Sequence, residues 1–231
     1  MTANKHTTTL LKVVALIILL LVADQALKVY IKTHYYMDEE HKVIGNWARL
    51  HFVENAGMAW GYELGGSTGK LLLTLFRLIA VFFGVYYIIK IVKEQMHKGF
   101  ILCVALIFAG AVGNLIDSLF YGLIFTESPK YSTDVAQLVP YGKGYGTFLY
   151  GKVVDMFYFP ILEFHWPTSL PWIGGDKFEF FSPVFNLADA CISVGVITIL
   201  LFQNRFFKKE TKALHPTVET NSTYNDAAQV Q

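Results

Sequence analysis

"VFNLADACISVGVITILLF", Val184–Phe202, reads as a membrane-spanning helix with one charge, Asp189, close behind an asparagine, Asn186. A carboxylate near the bilayer centre costs ~2.5–3.5 kcal/mol on insertion scales. Asp189 therefore needs a partner or a task, and the rest of the chain is read for both.

Of the 231 residues, 54% are apolar, and mean hydropathy is +0.41. Soluble domains run nearer about 45–50% apolar. Apolar stretches over about 10–31, 71–89, 99–119 and 184–203 account for the excess, each near the ~20 residues a span requires. The expected fold is a membrane all-α core of four transmembrane helices with a small extracytoplasmic β element. Residues 1–209 form one integral-membrane domain, and 210–231 form a disordered, polar cytoplasmic tail. The net charge of +1 and the absence of a basic stripe with interleaved aromatics argue against nucleic acid as a partner. Cys103 and Cys191 have no metal-site or disulfide spacing and read as buried thiols.

The first span resembles a signal peptide at Lys5 and Lys12. However, Leu21-Val22-Ala23 is a poor cleavage site, and apolar character resumes after Asp24, so it reads as an uncleaved helix. Lys90, Lys93 and Lys98 separate spans two and three, while Arg205, Lys208, Lys209 and Lys212 follow span four. With Lys5 and Lys12 they fall on one side, which places both termini in the cytoplasm and loops 32–70 and 120–183 outside. In the outer loops, His51–Trp60 reads as a short strand and turn, and "YGKGYGTFLYGK" (141–152) as a hairpin. Trp166 and Trp172 suit a membrane interface.

Although the spans alternate in direction, their polar residues fall at one end of the bundle. These are Asp24 and Lys28 of span one, Asn114 and Asp117 of span three, and Asn186 and Asp189 of span four. Asn114, Asp117 and Ser118 share a helical face, and Asp24 can pair with Lys28 at i,i+4. Gly110 and Gly113 would let another helix approach span three. The bland reading makes Asp24–Lys28 a structural ion pair and the asparagines interhelical glue. Asp155, in "GKVVDMFYFP", reads as a loop carboxylate flanked by apolar residues. Two carboxylates brought together share one proton. One can then act as base on water while the other acts as acid on a scissile carbonyl. Asp155 and Asp189 are the pair best placed for this.

"DQALK" (24–28), "ENAGMAW" (54–60), "GNLID" (113–117), "VVD" (153–155) and "FNLADACI" (185–192) stand in the order found in lipoprotein signal peptidase (signal peptidase II), and the chain resembles that family over about 10–203. The resemblance implies a multi-pass aspartic endopeptidase of the bacterial inner membrane. It would cut diacylglyceryl-modified prolipoproteins before the lipidated cysteine, within membrane lipid, without metal or organic cofactor, and be inhibited by globomycin. It implies Asp155 and Asp189 as catalytic residues. The implied supporting residues are Asp24, Lys28, Asn55, Gly57, Ala59, Asn114, Asp117 and Asn186.

Two features depart from the family pattern. Ser118 stands where the family has arginine after the "GNxxD" aspartate, and Arg77 is the candidate to compensate. The interval from Asp117 to Asp155 is also long, with extra residues over 126–150 that read as a tolerated surface insertion, a lid or a partner surface. A small proton- or ion-coupled transporter is the alternative function. It would place ionisable groups near the midplane, often within inverted repeats, and neither is visible. A non-catalytic assembly subunit would leave Asp155 and the 54–61 segment unexplained.

Overall fold

The computed structural model describes residues 2–57, 66–160, 162–172, 175–180 and 183–207. Four helices dominate it: α1 (Thr2–His34), α2 (Gly66–Lys93), α3 (from Lys98) and α4 (Leu187–Phe206). All four are long and apolar enough to cross a membrane. The centre of the bundle is α3. Half of its most apolar stretch is buried (50%), against 11–17% for the others. Leu19, Phe76, Phe82 and Leu201 project outward from the other three helices, the surface that lipid chains would solvate.

At one end Val13, Ile17, Ile88, Ile91, Ile101 and Ala105 make a dry apolar core. Lipid is as apolar as these side chains, so the helices are held by close packing rather than by hydrophobic exclusion. Gly110 and Gly113 supply it as expected. A Cβ at Gly110 would run into the Ala188 carbonyl oxygen, and one at Gly113 would lie 2.7 Å from Asp24 Oδ2.

The third span continues past the expected residue 119. After Ile116 it passes through a π turn, Asp117–Tyr121, and a last turn, Gly122–Ile124. The wider turn breaks the regular register where Asp117 and Ser118 point inward, both fully buried. The helix end leaves carbonyls without intrahelical donors. Segment 141–152, expected as a hairpin, supplies them instead. Gly151 N donates to Ser118 O (2.9 Å), Gly146 N to Gly122 O (2.8 Å) and Gly142 N to Leu123 O (3.0 Å). Capping a helix end uses those donors in turns and leaves none for a strand ladder.

Four antiparallel strands lie beside the polar end in the order β1-β2-β3-β6. They are β1 (Glu40–Ile44), β2 (Ala48–Asn55), β3 (Val153–Tyr158) and β6 (Val184–Phe185). A separate pair joins β4 (Leu162–His165) to β5 (Lys177–Phe180). This corrects two expectations. Asp155 stands in strand β3, opposite Val53 of β2, because alternate β-branched and aromatic residues around it suit a pleated, buried strand. Val184 and Phe185 pair with Tyr158 and Phe157, so the fourth span begins at Leu187, not 184. Of the two tryptophans, Trp172 is exposed and Trp166 half-buried.

The 126–150 insertion is more than a surface graft. Ser128 and Ala136 are buried. Ser128 Oγ donates to Glu54 Oε1 (2.9 Å), and Glu54 also pairs with Lys32 of α1. Lys152 Nζ lies 3.4 Å from Glu54 Oε2, and Lys32 sits over the Phe125 and Tyr145 rings. A buried ion pair needs such additional partners to offset its desolvation, so the insertion contributes to the fold around β2.

Candidate active site

The site is built on the start of α4. Asn186 is its N-cap, and its side-chain oxygen accepts from Asp189 N at 2.9 Å. The sequence Asn-Leu-Ala-Asp carries this signal, an asparagine followed three residues later by an acid at a helix start. Asp189 therefore stands in the first turn, nearer the helix edge than a span from 184 would place it. The neighbouring orphan donor, Ala188 N, is taken by Asp24 Oδ1 at 3.0 Å. Two carboxylates at a helix N-terminus also complement its positive dipole end.

Asp24 and Lys28 form the anticipated pair at 2.9 Å, but Lys28 does more than that. Its fully buried ammonium also reaches Asp117 Oδ2 (2.8 Å) and Asn114 Oδ1 (2.9 Å), which uses all three of its donors. Gln25, which sequence reading passed over, donates to Asp117 Oδ1 (2.9 Å) and accepts from Tyr121 Oη (3.1 Å). This hub locks α1 to α3.

Asparagines carry the hub to the two remaining carboxylates. Asn114 Nδ2 donates to Asp189 Oδ1 (2.7 Å). Asn186 Nδ2 donates to Asp155 Oδ1 (2.6 Å) and also approaches Asn114 Oδ1 (3.1 Å). Asp155 is 5% exposed. Burial, then the negative charge of Asp189, pushes its carboxyl up to about 7, against a smaller opposing effect from the Asn186 hydrogen bond. Two nearby carboxylates thus favour sharing one proton at neutral pH. Above about 7 Asp155 ionises beside Asp189, so any activity that needs its proton falls as pH rises through that value. Asn186→Ala removes a hydrogen bond that favours the ionised form, so the descending limb of kcat/KM should move to higher pH. An unchanged limb, measured between pH 5 and 9, would mean that Asp155 does not set it.

On α2, Lys70, Thr74 and Arg77 fall on one helical face. Lys70 Nζ lies 3.3 Å and Arg77 Nη1 3.1 Å from Ser118 Oγ. Ser118 donates to Asn114 O at 2.9 Å. Ser118 thus ties both cations to α3 beside Asn114, whose side-chain amide donates to Asp189. Lys70 was missed because the apolar run begins after it, although its spacing to Thr74 and Arg77 marks the face. Asn55 Oδ1 accepts from Gly57 N (2.7 Å). Gly57 has φ +106, and a Cβ there would be tight against Leu73 Cδ2 (3.1 Å) and in ordinary contact with Lys70. Glycine is thus favoured by the backbone angle. Ala59 lies outside the described residues.

Four apolar helices carrying a convergent carboxylate site are the frame of a multi-pass membrane enzyme. The family model for signal peptidase (SPase) II matches residues 16–205. The lipoprotein signal peptidase of Porphyromonas gingivalis W83 is 50% identical over 190 residues, which cover 82% of this chain and 81% of that protein. That of Amoebophilus asiaticus is 35% identical over 208 residues, covering 89% and 83%. A bacterial membrane enzyme solved by the in meso method at 2.3 Å has the same fold (TM-score 0.52, 24% identity, 87% of this chain and 93% of that one). The chain belongs to the signal peptidase II family and is a peptidase.

Proposed function

We propose that Asp155 and Asp189 are the catalytic dyad of a membrane aspartic endopeptidase that removes signal peptides from diacylglyceryl-modified prolipoproteins, cutting before the lipidated cysteine. The carrying observation is that Asn186 holds both residues: its side-chain amide donates to Asp155, and its side-chain oxygen accepts from the backbone of Asp189. With the shared proton on Asp155, the Asp189 carboxylate takes a proton from water as the water oxygen bonds to the scissile carbonyl carbon. Asp155 gives its proton to the carbonyl oxygen. The resulting gem-diol collapses by breaking the C–N bond: Asp189 delivers the proton it took from water to the leaving nitrogen, and one hydroxyl proton returns to Asp155.

Asp24, Lys28, Asn114, Asp117 and Asn186 position the dyad in this reading. Asn55, Gly57 and Ala59 shape the approach of an extended peptide, and Arg77 supplies the positive charge missing at Ser118. The charge count at this end of the bundle agrees with it. The charges of Lys28, Lys70 and Arg77 equal those of Asp24, Asp117, Asp155 and Asp189 when the dyad holds one proton, although of the three cations only Lys28 is ion-paired to these carboxylates among the described residues. The Lys and Arg distribution supports cytoplasmic termini and a site on the outer face of the bacterial inner membrane. Acyl chains would then lie along the lipid-facing helices while the peptide bond meets water.

The test is a gel-shift cleavage assay of purified protein with a diacylglyceryl-modified prolipoprotein, its unmodified form, and globomycin. Cleavage confined to the modified form and blocked by globomycin is expected. Equal cleavage of both forms would overturn the substrate assignment. The transporter reading is not favoured, because the charged groups gather at one end of the bundle.

A further inference from the structure

Lys70 has no part in the reading above beyond its charge. It is 5% exposed on a membrane helix, where an unpaired ammonium is expensive. Lys28 solves that problem with two carboxylates, and Lys32 with Glu54. Lys70 and Arg77 do not. Among the described residues, neither has a carboxylate within ion-pairing distance, and both donate to one neutral hydroxyl, Ser118 Oγ. A hydroxyl oxygen offers two acceptor sites and leaves most of the donors of the two cations unused. The pair is also confined. Gly57 packs over the Lys70 stem, Thr74 between them is tied to Leu149 O (3.0 Å), and Ser118 is anchored to α3. Among the described residues these are two fixed cations with no anion paired to them, and they stand next to the dyad's support: Ser118, which holds both, donates to Asn114 O, and Asn114 Nδ2 donates to Asp189 Oδ1.

Peptide hydrolysis at the dyad creates an anion. The scissile carbonyl is neutral in the substrate, carries growing negative charge on its oxygen during attack, and ends as the terminal carboxylate of the released signal peptide. We infer that Lys70 and Arg77 form a carboxylate-binding site for the cleaved signal peptide, with Ser118 as its neutral anchor between turnovers. This rests on the assignment of Asp155 and Asp189 as the dyad. Donors placed where charge develops stabilise the transition state more than the substrate. The same site then retains product, because charge-assisted hydrogen bonds to a carboxylate are stronger than those to a neutral carbonyl.

The test uses two fluorescently labelled synthetic peptides with the sequence of a signal peptide ending just before the modified cysteine. One ends in a free carboxylate and the other in a carboxamide. Binding to the full-length protein in detergent is followed by anisotropy. The carboxylate peptide should bind about tenfold more tightly or better, as hydrogen bonds to charged groups imply. Lys70→Gln or Arg77→Gln should shrink that ratio, and the double variant should bring it to about one. Lys70→Arg and Arg77→Lys should keep most of it. In turnover, the glutamine variants should lose kcat more than they raise KM. Equal binding of the two peptides by the unaltered chain overturns the inference, as does a preference that survives in the double variant. Because binding is measured without catalysis, the Asp155→Asn protein can be used as well. Cleavage by that variant would refute the dyad, while the carboxylate preference is judged separately.

Discussion

Asp155→Asn and Asp189→Asn will each leave a membrane-inserted, folded protein that has lost at least about a thousandfold in cleavage rate, near the upper range for a positioned acid or base. Asparagine keeps the shape and the hydrogen-bond acceptor. The contacts from Asn186 to position 155 and from Asn114 to position 189 can therefore persist with a flipped amide. What is lost is the single shared proton. With asparagine at 155 there is no acid for the carbonyl oxygen, and with asparagine at 189 there is no base for the water. The double variant should be no worse than either single one, because the two residues act as a unit. Rates are to be measured on purified protein with lipidated substrate, alongside the thermal midpoint of each variant. Turnover within tenfold of the unaltered enzyme by either folded variant would remove that residue from the dyad.

Lys28→Met should be the most destabilising change in the hub, by about 3–5 kcal/mol, the usual loss when one member of a buried ionic set is removed. Lys28 is fully buried and holds Asp24, Asp117 and Asn114 together. Methionine fills the stem's volume but leaves two carboxylates in a dry place without their cation. Asp24 also carries the Ala188 N–H of α4, so the loss should spread to the helix that presents Asp189. The discriminating measurement is a compensated variant, Lys28→Met with Asp24→Asn and Asp117→Asn. Removing all the charges together avoids an unpaired buried ion, and this triple variant should unfold in detergent at a clearly higher temperature than Lys28→Met alone. If it unfolds no later, the stabilisation does not come from pairing.

The residues of this hub were visible in the sequence, but their arrangement was not. Helical spacing aligned Asn114 with Asp117 and Asp24 with Lys28, and alternation of the spans put them at one end. Spacing could not show that Lys28 serves Asp117 as well as Asp24, or that Gln25 closes the set. Lys70 was hidden for a different reason. Hydropathy locates the start of an apolar run, whereas α2 begins earlier, and the long stem of lysine can carry charge inward from a position that composition assigns to a loop.

Asp155 shows the division most clearly. Sequence alone determined that four spans exist, that their ionisable residues share one end, and that the ordered motifs match signal peptidase II. Those properties depend on hydropathy, helical period and local order, which a chain carries without folding. Tertiary structure decided that Asp155 lies in a central strand, that Asn186 both caps α4 and holds Asp155, and that the inserted segment caps α3 and reaches Glu54. Apart from the local Asn186 cap, these depend on hydrogen bonds or ion pairs between residues distant in the chain. Such contacts form only because burial leaves every polar group to find a partner within the protein, and which partner it finds depends on the packed arrangement of all the helices and strands.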